Sequence, residues 1–343
     1  MERQGWADAA RGLAIITVVF FHVVLGLGDR GPVHWFVWTL ISVFGPFPIV
    51  LFFIAAGRFS QTLVTGGWSS AVTRRVLGLC YVFALWSLLD AAAVAAVGET
   101  KPIDVFAYVV NPRSHLWFIW ALALYTAIAA TTPRAWRLPV IVGAAVVSLC
   151  SFMGVIALDS FVYDNLVRFL PFFMTGVAAG PVEARIEPWR WPVVLLGGCL
   201  FAGLTALTIW APSPLAVKGA FLFGLAILAT PVGIAGASIV ADAPGLGQPL
   251  RTFGRLSLGV YLVHPLVILF LLHLMDATGW SVASDAIAMP FILTILALAM
   301  SLGFVLISNR FGWAWLYRPP GVGGARKASA VSTGEARPKQ PSV

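Results

Sequence analysis

Apolar residues occupy the chain in long runs, and polar side chains gather at the breaks between the runs. A run of about 20 apolar residues is the length at which an α-helix crosses a bilayer core. Such a segment must satisfy its own backbone hydrogen bonds, which a helix does. Ten segments of this kind are predicted, near residues 6–28, 36–57, 75–97, 114–131, 138–158, 165–181, 191–211, 215–236, 253–275 and 286–308. The expected fold class is all-α, a polytopic membrane protein with about ten transmembrane helices. A membrane β-barrel would instead alternate apolar and polar positions over segments of about ten residues. An even number of crossings places both termini on one side.

Composition agrees with this pattern. Of 343 residues, 59% are hydrophobic and only 10% charged, whereas soluble domains carry about 25% charged residues. The first apolar run is not expected to be a removable signal peptide, because Gly26, Leu27, Gly28 and Asp29 offer no small-residue cleavage site. Lys and Arg total 22 against 14 Asp and Glu. No basic stripe interleaved with aromatics accompanies them, so nucleic acid is not an expected partner. With the N-terminus inside, seventeen basic residues fall on the cytoplasmic face and five on the other. This is the asymmetry expected of short cytoplasmic loops, so N- and C-termini are expected to be cytoplasmic.

Cys80, Cys150 and Cys199 are scattered through apolar runs and give neither a disulfide framework nor zinc-ligand spacing, so no metal is expected. Residues 1–318 are read as one transmembrane domain. Residues 319–343 begin with Pro319, Pro320 and Gly321 and continue with small and basic residues; they are expected to form a disordered basic cytoplasmic tail. No internal repeat suggests an inverted-repeat transporter.

Ionisable groups inside a bilayer are costly and mark candidate sites. Asp8 and Arg11 are three residues apart, on one helical face, where an ion pair can form. Arg11 and His22 are eleven residues apart, close to three whole turns. They therefore point the same way with roughly 16 Å between them along the axis. That arrangement suits a long cofactor with phosphates at one end and a reactive group at the other, as in coenzyme A. Arg74 and Arg75, at the start of the third segment, are further phosphate partners or plain positive-inside anchors. His115 opens the fourth segment, and His264, eleven residues into the ninth, is expected near the level of His22. Asp90 is placed to orient a histidine or to pair with Arg168. A histidine near its ordinary pKa of about 6.5 can take a proton from a hydroxyl. The same cluster suits a proton relay in a transporter, and spacing leaves both readings open.

The residues also resemble the acyltransferase 3 family of integral membrane acyltransferases, in particular its sugar O-acetylase branch with fucose 4-O-acetylase-like members. Asp8-Ala9-Ala10-Arg11-Gly12-Leu13-Ala14 and Phe20-Phe21-His22 look like the family's D-x-x-R-G-L-A opening and its Arg-x10-His motif. Phe52-Phe53-Ile54-Ala55-Ala56-Gly57 is similar to its F-F-x-x-S-G segment, with Ala56 in place of the serine. Arg74-Arg75 stand where members carry a basic pair, and His115-Leu116-Trp117-Phe118 resembles an H-L-W-F/Y segment. Another branch follows that segment with a glutamate, where this chain has Ala121 and Ala123. Segments 168–176 and 261–265 look like later family segments, so the likeness runs from about residue 6 to residue 310.

The resemblance implies an O-acyltransferase (O-acetyltransferase) in the bacterial inner membrane. It would move an acyl group, commonly acetyl, from cytoplasmic acyl-CoA (acetyl-CoA) to a hydroxyl of a glycan or glycolipid of the cell envelope. By the same likeness Arg11 and His22 take the essential positions, and Arg74, Arg75 and His115 supporting ones. Arg11, Arg74 and Arg75 are expected to hold coenzyme phosphates, and His115 or Arg168 to stabilise an oxyanion. Two alternatives stand beside this reading. One is a proton-coupled transporter or flippase of a sugar-containing substrate using Asp90, His22 and His264. The other keeps the chemistry and changes the acceptor to a macrolide-type small molecule.

Overall fold

The structure is a computed structural model that describes residues 5–96, 115–179, 182–211, 213–279 and 287–320. These residues form helices and no strand. In chain order the helices are α1 (Gly5–Gly28), α2 (Trp35–Phe44), α3 (Pro46–Val64), α4 (Ser70–Ala96), α5 (Trp117–Thr131) and α6 (Arg137–Phe152). They continue with α7 (Phe161–Ala178), α8 (Val182–Ile186), α9 (Arg190–Trp210), α10 (Leu215–Asp242), α11 (Gly247–Thr278) and α12 (Ala288–Arg310). From residue 321 onward the expected tail lies outside the described residues.

Among the described residues eight helical segments are long and apolar enough to cross a membrane. The expectation of about ten is reached only by adding α5 and α7. α5 has 15 residues, and the predicted start of its segment at residue 114 lies outside the described residues. α7 has 18 residues but carries Asp164, Asn165 and Arg168, with Pro171 inside. The second predicted span also differs. It breaks at Gly45, where Pro46 opens α3, and continues to Val64, because Pro46 removes a backbone donor at the one place where the helix restarts. Elsewhere the helices outrun the apolar segments: α11 covers Gly247–Thr278 where residues 253–275 were expected, since a helix continues into polar flanks that hydropathy does not mark.

α1 sits centrally, packed against α11 most extensively and also against α3, α10 and α12. α1 and α11 run parallel: Gly5 lies beside Arg251 at one end, and Arg30 Nε donates to Asp276 Oδ2 at 2.9 Å at the other. Small residues make this pairing close. A Cβ on Gly12 would overlap the Leu250 carbonyl oxygen, and one on Gly254 would overlap the Asp8 carbonyl oxygen. With no hydrophobic force between helices in lipid, close backbone approach of this kind supplies the packing energy. α3 and α7 meet in the same way, each presenting a glycine, Gly57 or Gly176, to the other's backbone. By contrast Leu195, Leu196 and Leu200 of α9 are exposed, as on a helix that faces lipid.

One end of the bundle collects charge. Arg58 donates through Nε and Nη2 to Glu183 Oε1 at 3.4 and 3.1 Å, and through Nη1 to Gln61 at 2.7 Å. Arg190 pairs with Glu187 and Asp242. After α12 the chain turns back. The Trp86 indole donates to the Leu316 carbonyl at 2.7 Å, and the Tyr317 ring stacks on Trp86.

Candidate active site

The parallel register of α1 and α11 places His22 and His264 at one depth, and the chain entering α5 adds His115. Ring centroids lie 5.1 Å apart for His22 and His264, 5.7 Å for His115 and His264, and 6.5 Å for His22 and His115. The three imidazoles come from sequence positions far apart and meet because their helices share one end of the bundle.

Backbone carbonyls set the tautomers. His22 Nδ1 is 2.9 Å from the Val18 carbonyl oxygen, one turn back on its own helix. A carbonyl only accepts, so Nδ1 carries the hydrogen and Nε2 presents a lone pair. His264 repeats the arrangement, with Nδ1 3.1 Å from the Val260 carbonyl. Its Nε2 lone pair then faces the His22 Nδ1–H at 3.4 Å. His264 is completely buried, so this lone pair is held where water does not reach it. Among the described residues His115 Nε2 is buried and has no hydrogen-bond partner. The His115 backbone is anchored by the Tyr261 hydroxyl, which donates to its carbonyl. Pro265 follows His264 inside α11; having no N–H, it leaves the Tyr261 carbonyl without its usual helical donor.

A cavity of about 140 Å³ opens beside the cluster, walled by α1, α2, α3, α5, α7 and α11. His22, His115 and Tyr261 are on its wall, and most of the remainder is aromatic or aliphatic.

The other expected site residues are distributed more widely. Arg11 pairs with Asp8, as their spacing suggested. Its guanidinium also lies over the Phe59 ring at 4.7 Å, which fixes it at the contact of α1 with α3. Asp8 is 2% exposed, so this pair is a partly buried one. Arg74 and Arg75 are exposed in the second turn of α4. Arg168 turns away from the cavity: Nε donates to Ser151 Oγ at 3.2 Å and Nη2 to the Ser151 carbonyl at 3.1 Å, with Phe152 beneath the guanidinium. It therefore joins α7 to α6. Asp90 is half-buried in the last turns of α4. No group of three His, Cys, Asp or Glu with metal-binding geometry occurs among the described residues.

Two features escaped the sequence reading. Tyr261 precedes His264 by three residues, so helical spacing alone would have put it on the same face. The Arg58 and Glu183 pair left no local signal, because its partners are 125 residues apart.

A family model described as an acyltransferase domain matches residues 4–310. The chain belongs to this family, the acyltransferase 3 family. No curated protein and no solved structure gives a match. The matched region of the acyltransferase contains the three clustered histidines together with Asp8, Arg11, Arg74, Arg75, Asp90 and Arg168. Family and fold together make it a multi-pass membrane acyltransferase.

Proposed function

We propose that this acyltransferase moves an acyl group from coenzyme A to a hydroxyl of a glycan or glycolipid in a bacterial inner membrane, with His22 as general base. The observation that carries the reading is the His22 imidazole. Its Nδ1–H is tied to Val18 and faces His264, which leaves Nε2 as the proton acceptor on a cavity wall shared with His115.

In the reaction His22 Nε2 takes the acceptor's hydroxyl proton as the oxygen attacks the thioester carbon. The tetrahedral oxyanion is stabilised by an N–H of His115, whose Nε2 is otherwise unpartnered among the described residues. Collapse breaks the carbon–sulfur bond, and the proton on His22 passes to the departing thiolate, giving an ester and free coenzyme A. His264 is a positioning residue: its Nε2 lies 3.4 Å from His22 Nδ1 and holds the His22 ring against the cavity wall. Arg11, at the charged end of α1 roughly 16 Å from His22, binds coenzyme phosphate. Arg74 and Arg75 are exposed and supply further guanidinium groups to it.

The test uses membranes holding the wild-type protein or His22→Ala, incubated with labelled acetyl-CoA or longer acyl-CoAs and envelope glycans. Alkali-labile label in the carbohydrate fraction that requires His22 is expected. Equal labelling by His22→Ala overturns the base assignment, and an acylated His22 in protein incubated with donor alone replaces direct transfer by a covalent intermediate. Substrate movement across the bilayer without consumption of acyl-CoA would establish the transporter reading instead.

A further inference from the structure

The cavity beside His22 is larger and drier than an acetyl group requires. Its wall includes Phe20, Ile41, Phe44, Pro48, Ile49 and Phe52. Among the described residues only five side chains on it carry hydrogen-bonding groups: Thr17, His22, His115, Trp117 and Tyr261. Two of those are already engaged. The Thr17 hydroxyl donates within α1, with the Ala14 carbonyl at 2.9 Å and the Leu13 carbonyl at 3.1 Å, and the Tyr261 hydroxyl donates to the His115 carbonyl. A sugar ring in this space would bury several hydroxyls against hydrocarbon with no partner, which is strongly unfavourable. A hydrocarbon chain meets no such penalty.

Size sets the length. A cavity of about 150 Å³ lined by Leu, Ile and Phe accommodates benzene, with its six carbons, and this one measures about 140 Å³. An acetyl group places one methyl beyond its carbonyl and leaves most of the space unfilled. The position agrees: the same wall carries His22 and His115, so a thioester carbonyl held between them directs its chain into the aromatic lining.

We propose that the cavity enclosed by Phe20, Ile49 and Phe52 beside His22 is an acyl-chain pocket, and that the preferred donor is an acyl-CoA of about four to six carbons rather than acetyl-CoA. This rests on the acyl transfer proposed above and adds the donor's class to it. The sugar portion of an acceptor then lies outside the cavity, with only its reacting hydroxyl at His22.

The experiment measures kcat/KM for acetyl-, butyryl-, hexanoyl- and decanoyl-CoA with wild type, Ile49→Phe and Phe52→Ala, each first checked for a wild-type-like thermal midpoint. Wild type is expected to gain about fourfold per added methylene until the pocket is full, so butyryl exceeds acetyl by about fifteenfold, and decanoyl falls back. Ile49→Phe narrows the pocket and should invert the butyryl-to-acetyl ratio, while Phe52→Ala should move the optimum to a longer chain. Should Ile49→Phe fail to fold, Ile49→Met and Phe52→Ala read the same ratio. Acetyl preferred by wild type, or a chain-length profile that none of the variants changes, overturns the pocket while acyl transfer stands. A flat profile with an altered acceptor KM assigns the cavity to the acceptor and also overturns it. No turnover with any acyl-CoA overturns the transfer reading and the pocket together.

Discussion

Gly254→Ala tests whether the close pairing of α1 and α11 builds the histidine cluster. The added Cβ would overlap the Asp8 carbonyl oxygen and lie 3.0 Å from the Gly12 nitrogen. Both are backbone atoms, so neither can swing aside. Restoring an ordinary carbon–oxygen contact of about 3.3 Å requires the two helices to separate by on the order of 1 Å. His22 and His264 stand 3.4 Å apart, and the same separation carries them beyond hydrogen-bond range. Overpacking of this kind costs about 1–3 kcal/mol. At about 2 °C per kcal/mol, the midpoint in detergent should fall by about 2–6 °C. A displacement of about 1 Å at a catalytic group costs on the order of 100-fold in turnover. Gly236→Ala on neighbouring α10 is the control: nothing lies within 4 Å of its Cβ, and alanine there should add about 0.5–1 kcal/mol through helix propensity. The assay pairs thermal unfolding with His22-dependent acyl transfer. Wild-type midpoint and turnover in Gly254→Ala would refute the claim that helix approach sets the cluster.

Three further outcomes are expected. Arg58→Ala and Glu183→Ala should each destabilise by about 3–5 kcal/mol, as when one partner of a buried pair is removed; the double variant should cost less than their sum, and simple additivity in a thermal double-mutant cycle would show that the pair is not coupled. Arg74→Ala and Arg75→Ala should leave stability within about 0.5 kcal/mol because both side chains are exposed, yet raise the donor KM; an unchanged donor KM in the double variant would remove them from the phosphate site. Trp86→Phe should cost about 1–3 kcal/mol by leaving the Leu316 carbonyl without its donor, and an unaltered midpoint would show that the returning chain is not held there.

What was legible in the sequence was axial. Polar residues interrupting apolar runs gave the depth of each group, and the Asp8 and Arg11 pair followed from spacing alone. His22 lies eleven residues beyond Arg11, and His264 eleven residues into the segment predicted to begin at residue 253, so a common level could be counted. Lateral placement was not legible, because a helix apolar on every side carries no mark of which face meets protein and which meets lipid. Arg168 shows this: its depth was compatible with the histidines, yet its face turns to Ser151. The aromatic wall of the cavity was hidden for the same reason, since Ile49 and Phe52 read like any other membrane-span residue in the sequence and only the packing of the helices puts them on the wall that carries His22.

The two halves of the histidine cluster are separated by 242 residues of chain. A ribosome adding about 5–20 residues per second needs roughly 12–50 s to travel from one to the other. For most of that interval α1 has left the ribosome, while α11, which will cover Asp8 and face His22, is not yet made. The nascent first helix must therefore reside in the membrane with its polar groups sheltered by neighbours such as α3, and the histidine cluster is completed only near the end of synthesis. A chain released early has His22 without His264.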